Sequence, residues 1–326
     1  MSGSSSALSG EAAARPSRAI AIPIAVFGAL LLAPIAAKFG AEGYILSLLA
    51  KAMIFGLAAL SLDFILGYGA MVSFGHAAFI GIGAYSVGIL ASHGIDDLLV
   101  QALVALLASA LFALVTGAIS LRTKGVYFIM ITLAFAQMLF FLATSLAAYG
   151  GDDGITLPAR STIFGYPALK GSGAFYYAVF ACVLGAYLLT RAIVASRFGR
   201  VLRGTRENAV RMQAIGFAPF RFQLVAYVIA GAIAGLAGVL LANLTEFVSP
   251  AYMVWQRSGE LIFMVVLGGM ASLHGAIIGA VAYLLLEEML SAYTEHWKMI
   301  FGPLLVLVVL FARGGLVGLL RSRRDG

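Results

Sequence analysis

The stretch that decides the fold runs from residue 222 to residue 242 and reads FQLVAYVIAGAIAGLAGVLLA. It contains no charged side chain, and its length matches the roughly 20 apolar residues that a helix needs to cross a bilayer. Gly231 and Gly235 are four residues apart, a spacing that allows two membrane helices to approach closely. The stretch therefore predicts a membrane-spanning helix that packs tightly, either within the chain or against a second subunit.

The composition of the whole chain also indicates a membrane protein. Of its 326 residues, 62% are hydrophobic and 11% are charged, and the mean hydropathy is +1.02. Soluble domains are about 45–50% apolar and about 25% charged. The composition excludes a cytosolic enzyme, a disordered chain and a nucleic-acid-binding protein. The single cysteine, Cys182, excludes a disulfide framework and a cysteine-based metal site. We therefore expect an all-α polytopic membrane protein.

Apolar runs like the first one recur along the chain and predict about ten transmembrane helices. The candidate spans are residues 19–37, 43–62, 72–92, 98–119, 125–149, 174–194, 222–242, 258–272, 275–293 and 299–319. The eighth is short and ends near Gly268-Gly269, so it could be re-entrant, and eight to ten spans is the expected range. Residues 19–320 would form the transmembrane domain, with residues 1–18 a disordered cytoplasmic tail and residues 321–326 a second tail. A cleaved signal peptide is the alternative interpretation of the first run.

The distribution of basic residues predicts the orientation. If the N-terminus is inside, the ten-span topology puts 15 of the 21 lysines and arginines in inside segments and 5 in outside segments. The remaining one, Lys51, lies within a span. Cytoplasmic loops are enriched in lysine and arginine. We therefore expect both termini in the cytoplasm.

The longest inside segment is residues 195–221, ASRFGRVLRGTRENAVRMQAIGFAPFR, with six arginines and one glutamate. The pattern predicts an amphipathic helix that Gly216 ends and that Pro219 prevents from resuming. Its expected apolar positions are Val201, Leu202, Thr205, Val210 and Met212. Contact with anionic lipid is one interpretation. The segment is longer than a connector between two spans needs, however, which favours docking to a soluble partner.

The run RENAVRMQAIGF (residues 206–217), followed by YVIAGAIAGLAG (residues 227–238), resembles the coupling loop and next helix of ABC-importer permeases. More narrowly, it resembles the LivM-type permeases of branched-chain amino acid importers. Met212 stands where that family often has a small residue. The resemblance implies that this loop contacts an ATPase subunit through Arg203, Arg206, Glu207, Asn208, Arg211, Met212, Ala214, Ile215 and Gly216.

Other blocks resemble the same family in the same order, so the resemblance covers most of the chain. They are residues 66–85, 127–138, 150–155, 257–280 and 286–297. A weaker internal similarity relates Ser73–Ala77, with Gly81 and Tyr85, to Ser272–Ala276, with Gly279 and Tyr283. Internal repeats are common in transporters and place the pathway at their interface.

The resemblance implies a subunit of a multi-pass importer in the bacterial inner membrane. Its partners would be two ABC ATPase subunits, a second homologous permease, a periplasmic substrate-binding protein and membrane lipid, with no nucleic acid. The implied cargo is a branched-chain amino acid; urea, short amides or other amino acids remain open. The chain has no phosphate-loop motif, so ATP and magnesium would bind the ATPase subunits. We expect no cofactor, metal site or catalytic site in this chain.

Polar residues within spans are candidates for the translocation pathway. The candidates are Ser73, His76, Tyr127, Thr132 and Gln137, together with Asp153 in an acidic outer loop that we expect to be flexible. Packing between helices is the alternative role for the buried ones. A stand-alone secondary transporter or channel would need buried coupling charges, for which Lys51, Asp63 and the Glu287-Glu288 pair are the candidates. We expect Asp63, at a span end, to be interfacial.

Overall fold

The computed structural model describes residues 18–37, 42–167, 169–294, 296–311 and 314–322, and these residues are mostly helical. Of the expected tails at residues 1–18 and 321–326, residues 1–17 and 323–326 lie outside the described residues, Arg18 begins α1, and Arg321 and Ser322 end α12. The helices are α1 (Arg18–Ala37), α2 (Glu42–Gly69), α3 (His76–Ser92), α4 (Leu98–Ser120), α5 (Val126–Ser145), α6 (Ser172–Ala195), α7 (Arg197–Ala214), α8 (Pro219–Thr245), α9 (Trp255–Gly268), α10 (Leu273–Ser291), α11 (Trp297–Phe311) and α12 (Gly315–Ser322).

Six of the described helices are long and apolar enough to cross a membrane, namely Gly43–Gly69, Leu98–Ser120, Val126–Ser145, Ser172–Ala195, Pro219–Thr245 and Leu273–Ser291. Two shorter apolar helices cover Ile22–Ile35 and His76–Ser92. The chain is therefore an all-α polytopic membrane protein. The predicted run 258–272 corresponds to α9, whose 14 residues extend about 21 Å, less than the roughly 30 Å of a hydrocarbon core.

The core is built around α8 and α2, most of whose residues are buried. Helix α8 packs against α2, α3 and α4. A methyl group added at Gly83 of α3 would collide with the carbonyl oxygen of Gly235, and one added at Gly238 would collide with the carbonyl oxygen of Ile80. Gly238 thus brings α8 against the backbone of α3, while Gly231 and Gly235, the pair whose spacing predicts close packing, lie against Ala113 and Ser109 of α4.

Helices α9 and α10 form a hairpin that packs on α2. The hairpin is close because Gly268 faces the carbonyl oxygen of Gly275, and Gly279 faces that of Met264. Gly269, with φ 115°, ends α9. The two segments of the internal similarity both lie at the start of a helix, α3 and α10 respectively.

The loop between α5 and α6 is anchored to the rest of the chain. Strand β1 (Ile155–Thr156) pairs antiparallel with β2 (Phe247–Val248), which follows α8. The amide of Ser161 donates to Asn243 Oδ1 at 2.7 Å, and Arg160 pairs with Glu246 at 3.4 Å. These contacts follow directly after the acidic turn that contains Asp153, which the sequence predicts as a flexible loop.

Candidate coupling loop and buried polar cluster

Helix α7 occupies the predicted place between α6 and α8. Ser196 begins it, accepting a hydrogen bond from the amide of Phe198 at 3.2 Å. The helix is interrupted at Asn208, whose backbone is extended (φ −157°, ψ 97°). Asn208 Oδ1 accepts the amide of Arg211 at 2.9 Å. Asn208 therefore caps a second, shorter helical piece, as an N-cap residue does.

The expected stop at Gly216 is present, because α7 ends at Ala214 and Gly216 has a φ of 90°. The expected role of Pro219 is wrong. Pro219 is the first residue of α8, a position that proline suits because the first helical amide has no intrahelical partner. The connection is therefore a short turn between two helices.

One face of α7 is buried. The C-terminal part of the helix and the turn after it, residues 206–216, are mostly exposed and are called the tip below. Val201, Leu202, Thr205 and Met212 are buried as predicted, whereas Val210 is 71% exposed. Val210 follows Val201 by nine residues, which places it about 180° around a regular helix, so even an unbroken helix would expose it, and the expectation for Val210 is wrong for that reason. The exposed members of the predicted contact set are Arg206, Glu207, Asn208, Arg211, Ala214, Ile215 and Gly216, and Arg203 is half-buried.

Arg206 connects α7 to α2 by donating to the carbonyl oxygen of Gly67. One turn earlier on α2, Asp63 Oδ1 accepts the amide of Ala271 at 2.8 Å. Tyr68 donates to the Ala271 carbonyl oxygen at 2.9 Å. The end of α2 thus joins the coupling loop to the turn between α9 and α10.

Asp63, which the sequence predicts to be interfacial at a span end, is fully buried within the protein. Its carboxylate faces a backbone amide 208 residues further along the chain. Ala271 has a φ of 60°, and no local sequence signal indicates that its amide needs an acceptor. The sequence therefore did not predict this hydrogen bond between Asp63 and Ala271, which is called the Asp63–Ala271 joint below.

Three of the pathway candidates meet at the start of α3. Ser73, His76 and Thr132 are all buried. His76 Nε2 lies 2.8 Å from Ser61 Oγ. The backbone of Gly75 lies against the carbonyl oxygen of Thr132. The amide of Ala77 donates to Ser258 Oγ at 3.0 Å.

This cluster is compact, and the chain around it is non-helical between Gly69 and His76. Among the described residues, His76 Nδ1 is buried and has no hydrogen-bond partner. Buried polar atoms usually have partners. The unpartnered nitrogen of His76 therefore marks this cluster as a candidate polar site inside the bundle.

The other pathway candidates lie elsewhere. Tyr127 is 76% exposed on α5, Gln137 is half-buried on the same helix, and Asp153 is exposed in the acidic turn. The six candidates therefore form one cluster of three and three separate positions. Among the described residues, no group of three or more histidine, cysteine, aspartate or glutamate side chains could hold a metal ion.

The helical bundle and the basic loop between α6 and α8 define a polytopic membrane protein with a projecting helical element. The family model "Branched-chain amino acid transport system / permease component" matches residues 44–310, and the chain belongs to this family. The family is a transport permease component, not an enzyme.

Individual relatives carry names of the same kind as the family model. The chain is 26% identical over 319 residues to the high-affinity branched-chain amino acid transport system permease protein LivM of Escherichia coli (strain K12), covering 90% of this chain and 75% of LivM. It is 33% identical over 137 residues to LivH of the same organism, covering 41% of this chain and 44% of LivH. A probable LivM of Methanocaldococcus jannaschii is 26% identical over 215 residues, 61% of each chain. No solved structure matches this chain.

Proposed function

We propose that this chain is the transmembrane permease subunit of an ATP-driven ABC importer that moves branched-chain amino acids from the periplasm to the cytoplasm. The observation that carries the proposal is the exposed, capped tip of α7, tied through Arg206 to the end of α2. A rigid element that projects from a bundle and is bonded to its helices can transmit movement of a docked partner.

In this proposal two separate ATPase subunits, which bind ATP and magnesium, contact residues 195–221. The tip presents Glu207 and Arg211 as charges, and Val210 and Ile215 as exposed apolar side chains. An apolar centre with charged neighbours is typical of protein interfaces. A purely lipid-facing surface would have less use for the exposed acid. The chain itself would bind no cofactor.

The remaining partners are proposed from the relatives. LivM and LivH both match this chain, which supports pairing with a second, homologous permease. A periplasmic binding protein would meet the loop anchored by β1 and β2.

The proposed topology has ten membrane segments in the bacterial inner membrane, with both termini in the cytoplasm. Its transmembrane domain is residues 19–320, flanked by tails at residues 1–18 and 321–326. Helix α9 is shorter than a full crossing and forms a tight hairpin with α10; a re-entrant α9–α10 pair would give eight crossings and would also leave both termini in the cytoplasm.

We propose that the buried cluster of Ser73, His76 and Thr132 borders the translocation pathway, and that Tyr127, Gln137 and Asp153 contact the substrate or its delivering protein at other stages. The relatives' names support a branched-chain amino acid as cargo. Urea, short amides and other amino acids are the competing cargoes, and a panel assay separates them.

The test is co-purification with the ATPase and binding-protein products of neighbouring genes, followed by ATPase and uptake assays in proteoliposomes. We expect leucine, isoleucine or valine to stimulate ATP hydrolysis more than urea or acetamide does. The purified permease alone should hydrolyse no ATP. Uptake by this chain without any partner would favour a stand-alone transporter or channel and contradict the proposal.

A matched pair of variants tests the docking role. Gly216 (φ 90°) and Gly94 (φ 77°) are both glycines in the left-handed region, and an added Cβ would have open space at both. Gly216→Arg and Gly94→Arg thus carry a similar backbone strain of about 1–2 kcal/mol. We expect Gly216→Arg to abolish coupled ATPase stimulation while the protein still inserts, and Gly94→Arg to retain it. Equal activity of the two variants would refute docking at this tip.

A further inference from the structure

A cavity of about 620 Å³ lies where α6 ends, between α7, the turn joining α9 to α10, and the start of α12. Its size is within the range of small-molecule sites. The polar side chains that line it are Tyr68, Tyr187, Arg191, Arg203, Ser272 and His274. It is separate from the exposed tip of α7 and from the buried cluster at the start of α3.

The cavity is basic. Arg191 comes from α6 and Arg203 from α7, so two cations from different helices share one space. Among the residues that the structure describes, no carboxylate lines it. Among the described residues, neither arginine forms an ion pair with an acid. The nearby carboxylate of Asp63 is fully buried and accepts the Ala271 amide. Arg203 is half-buried and Arg191 is exposed, and the positive charge that they place on one cavity favours the binding of an anion.

The neutral lining suits the same kind of ligand. Ser272 and Leu273 stand at the start of α10 and line the cavity, and the amide end of a helix favours negative charge. Arginine binds phosphate oxygens through a planar fork of donors. Val194, Met270 and Val317 add an apolar border, which free inorganic phosphate would not need.

We infer that this cavity binds a phosphate group, supplied by the headgroup of an anionic phospholipid. In the topology proposed above, the cavity lies at the cytoplasmic surface, where basic pockets between membrane helices bind such headgroups. The bound group would bridge α6, α7 and the α9–α10 turn. It would thereby hold the coupling loop against the bundle beside the Asp63–Ala271 joint.

The test measures lipid binding to the full chain in nanodiscs and by native mass spectrometry, comparing phosphatidylglycerol with phosphatidylcholine. The variant Arg191→Gln/Arg203→Gln removes the two cavity cations. The control Arg197→Gln/Arg200→Gln removes two exposed arginines that do not line the cavity. We expect at least a tenfold loss of phosphatidylglycerol affinity in the first variant and less than a twofold loss in the control.

Equal losses in the two double variants would mean that general surface charge attracts the lipid, and would overturn the site. If inorganic phosphate alone raises the melting temperature of the detergent-purified chain as much as phosphatidylglycerol does, the lipid is not the source and that part of the inference is wrong. If the double variant does not fold, Arg203→Lys keeps the charge and removes the fork, and a several-fold loss is expected. The inference rests on the proposed function only for its membrane side, and these binding readouts need neither ATPase nor transport.

Discussion

The close contact of α3 with α8 makes a sharp prediction about a single added methyl group. In Gly83→Ala the new carbon would collide with the carbonyl oxygen of Gly235. Backbone atoms cannot swing aside as a flexible side chain can, so the two helices would have to separate. Gly185 lies within α6 and has no heavy atom within 4 Å of an added Cβ, so Gly185→Ala is the matched control.

Both substitutions gain the higher helix propensity of alanine, but only Gly83→Ala also overpacks a tight contact. Alanine is better than glycine inside a helix by roughly 0.5–1 kcal/mol. Overpacking a tight contact costs about 1–3 kcal/mol. We therefore expect Gly83→Ala to lower the free energy of unfolding by up to about 2 kcal/mol, and Gly185→Ala to raise it slightly.

The assay is thermal unfolding of both variants in the same detergent. At about 2 °C per kcal/mol for a large domain, the melting temperature of Gly83→Ala should lie roughly 2–6 °C below that of Gly185→Ala. The melting temperature of Gly83→Val, which adds a larger side chain, should be lower still. If Gly83→Ala were as stable as the control, the backbone contact between α3 and α8 would not be what holds these helices together.

Two more substitutions probe the coupling loop and its joint. Asn208→Ala removes the acceptor for the Arg211 amide at a cost of about 1 kcal/mol, so amide hydrogen exchange in residues 209–214 should accelerate several-fold. Asn208→Asp keeps an acceptor and should preserve the protection. Unchanged exchange in the alanine variant would contradict the capping role of Asn208. Asp63→Ala leaves the Ala271 amide buried without its acceptor, a loss of about 1–3 kcal/mol. It should lower both the melting temperature and ATPase stimulation, while Asp63→Asn, which keeps an acceptor oxygen, should be milder; equal behaviour of the two would argue against this hydrogen bond.

The parts of the fold that follow from local sequence are well predicted. Long apolar runs such as residues 43–62 and 98–119 become the membrane helices α2 and α4 because periodicity and length are local properties. Gly216 ends α7 for the same reason, since its positive φ suits glycine. The close packing signalled by Gly231 and Gly235 is also present. The prediction of one continuous helix is wrong in the interior of α7, where the side chain of Asn208 competes with the helical backbone.

The joint at Asp63 could not be predicted because its partner is a backbone amide. A carboxylate near the end of an apolar run normally lies at the interface, and nothing near residue 63 specifies a partner at residue 271. The pathway candidates illustrate the same limit. Composition identifies Ser73, His76 and Thr132 as unusual, but only the packing of α3 against α5 brings them together.

The joint and the loop together give α2 a role beyond its membrane crossing. Its end accepts Arg206 from the coupling loop at Gly67 and holds the α9–α10 turn at Asp63 and Tyr68. These groups lie within two helical turns, so a displacement of α7 cannot leave the turn between α9 and α10 unaffected unless one of these bonds breaks. The bonds are few and individually worth only about 1–3 kcal/mol, which suits an element that must shift repeatedly. From this arrangement we expect Asp63→Ala to reduce ATPase stimulation by more than its loss of folding stability alone would explain.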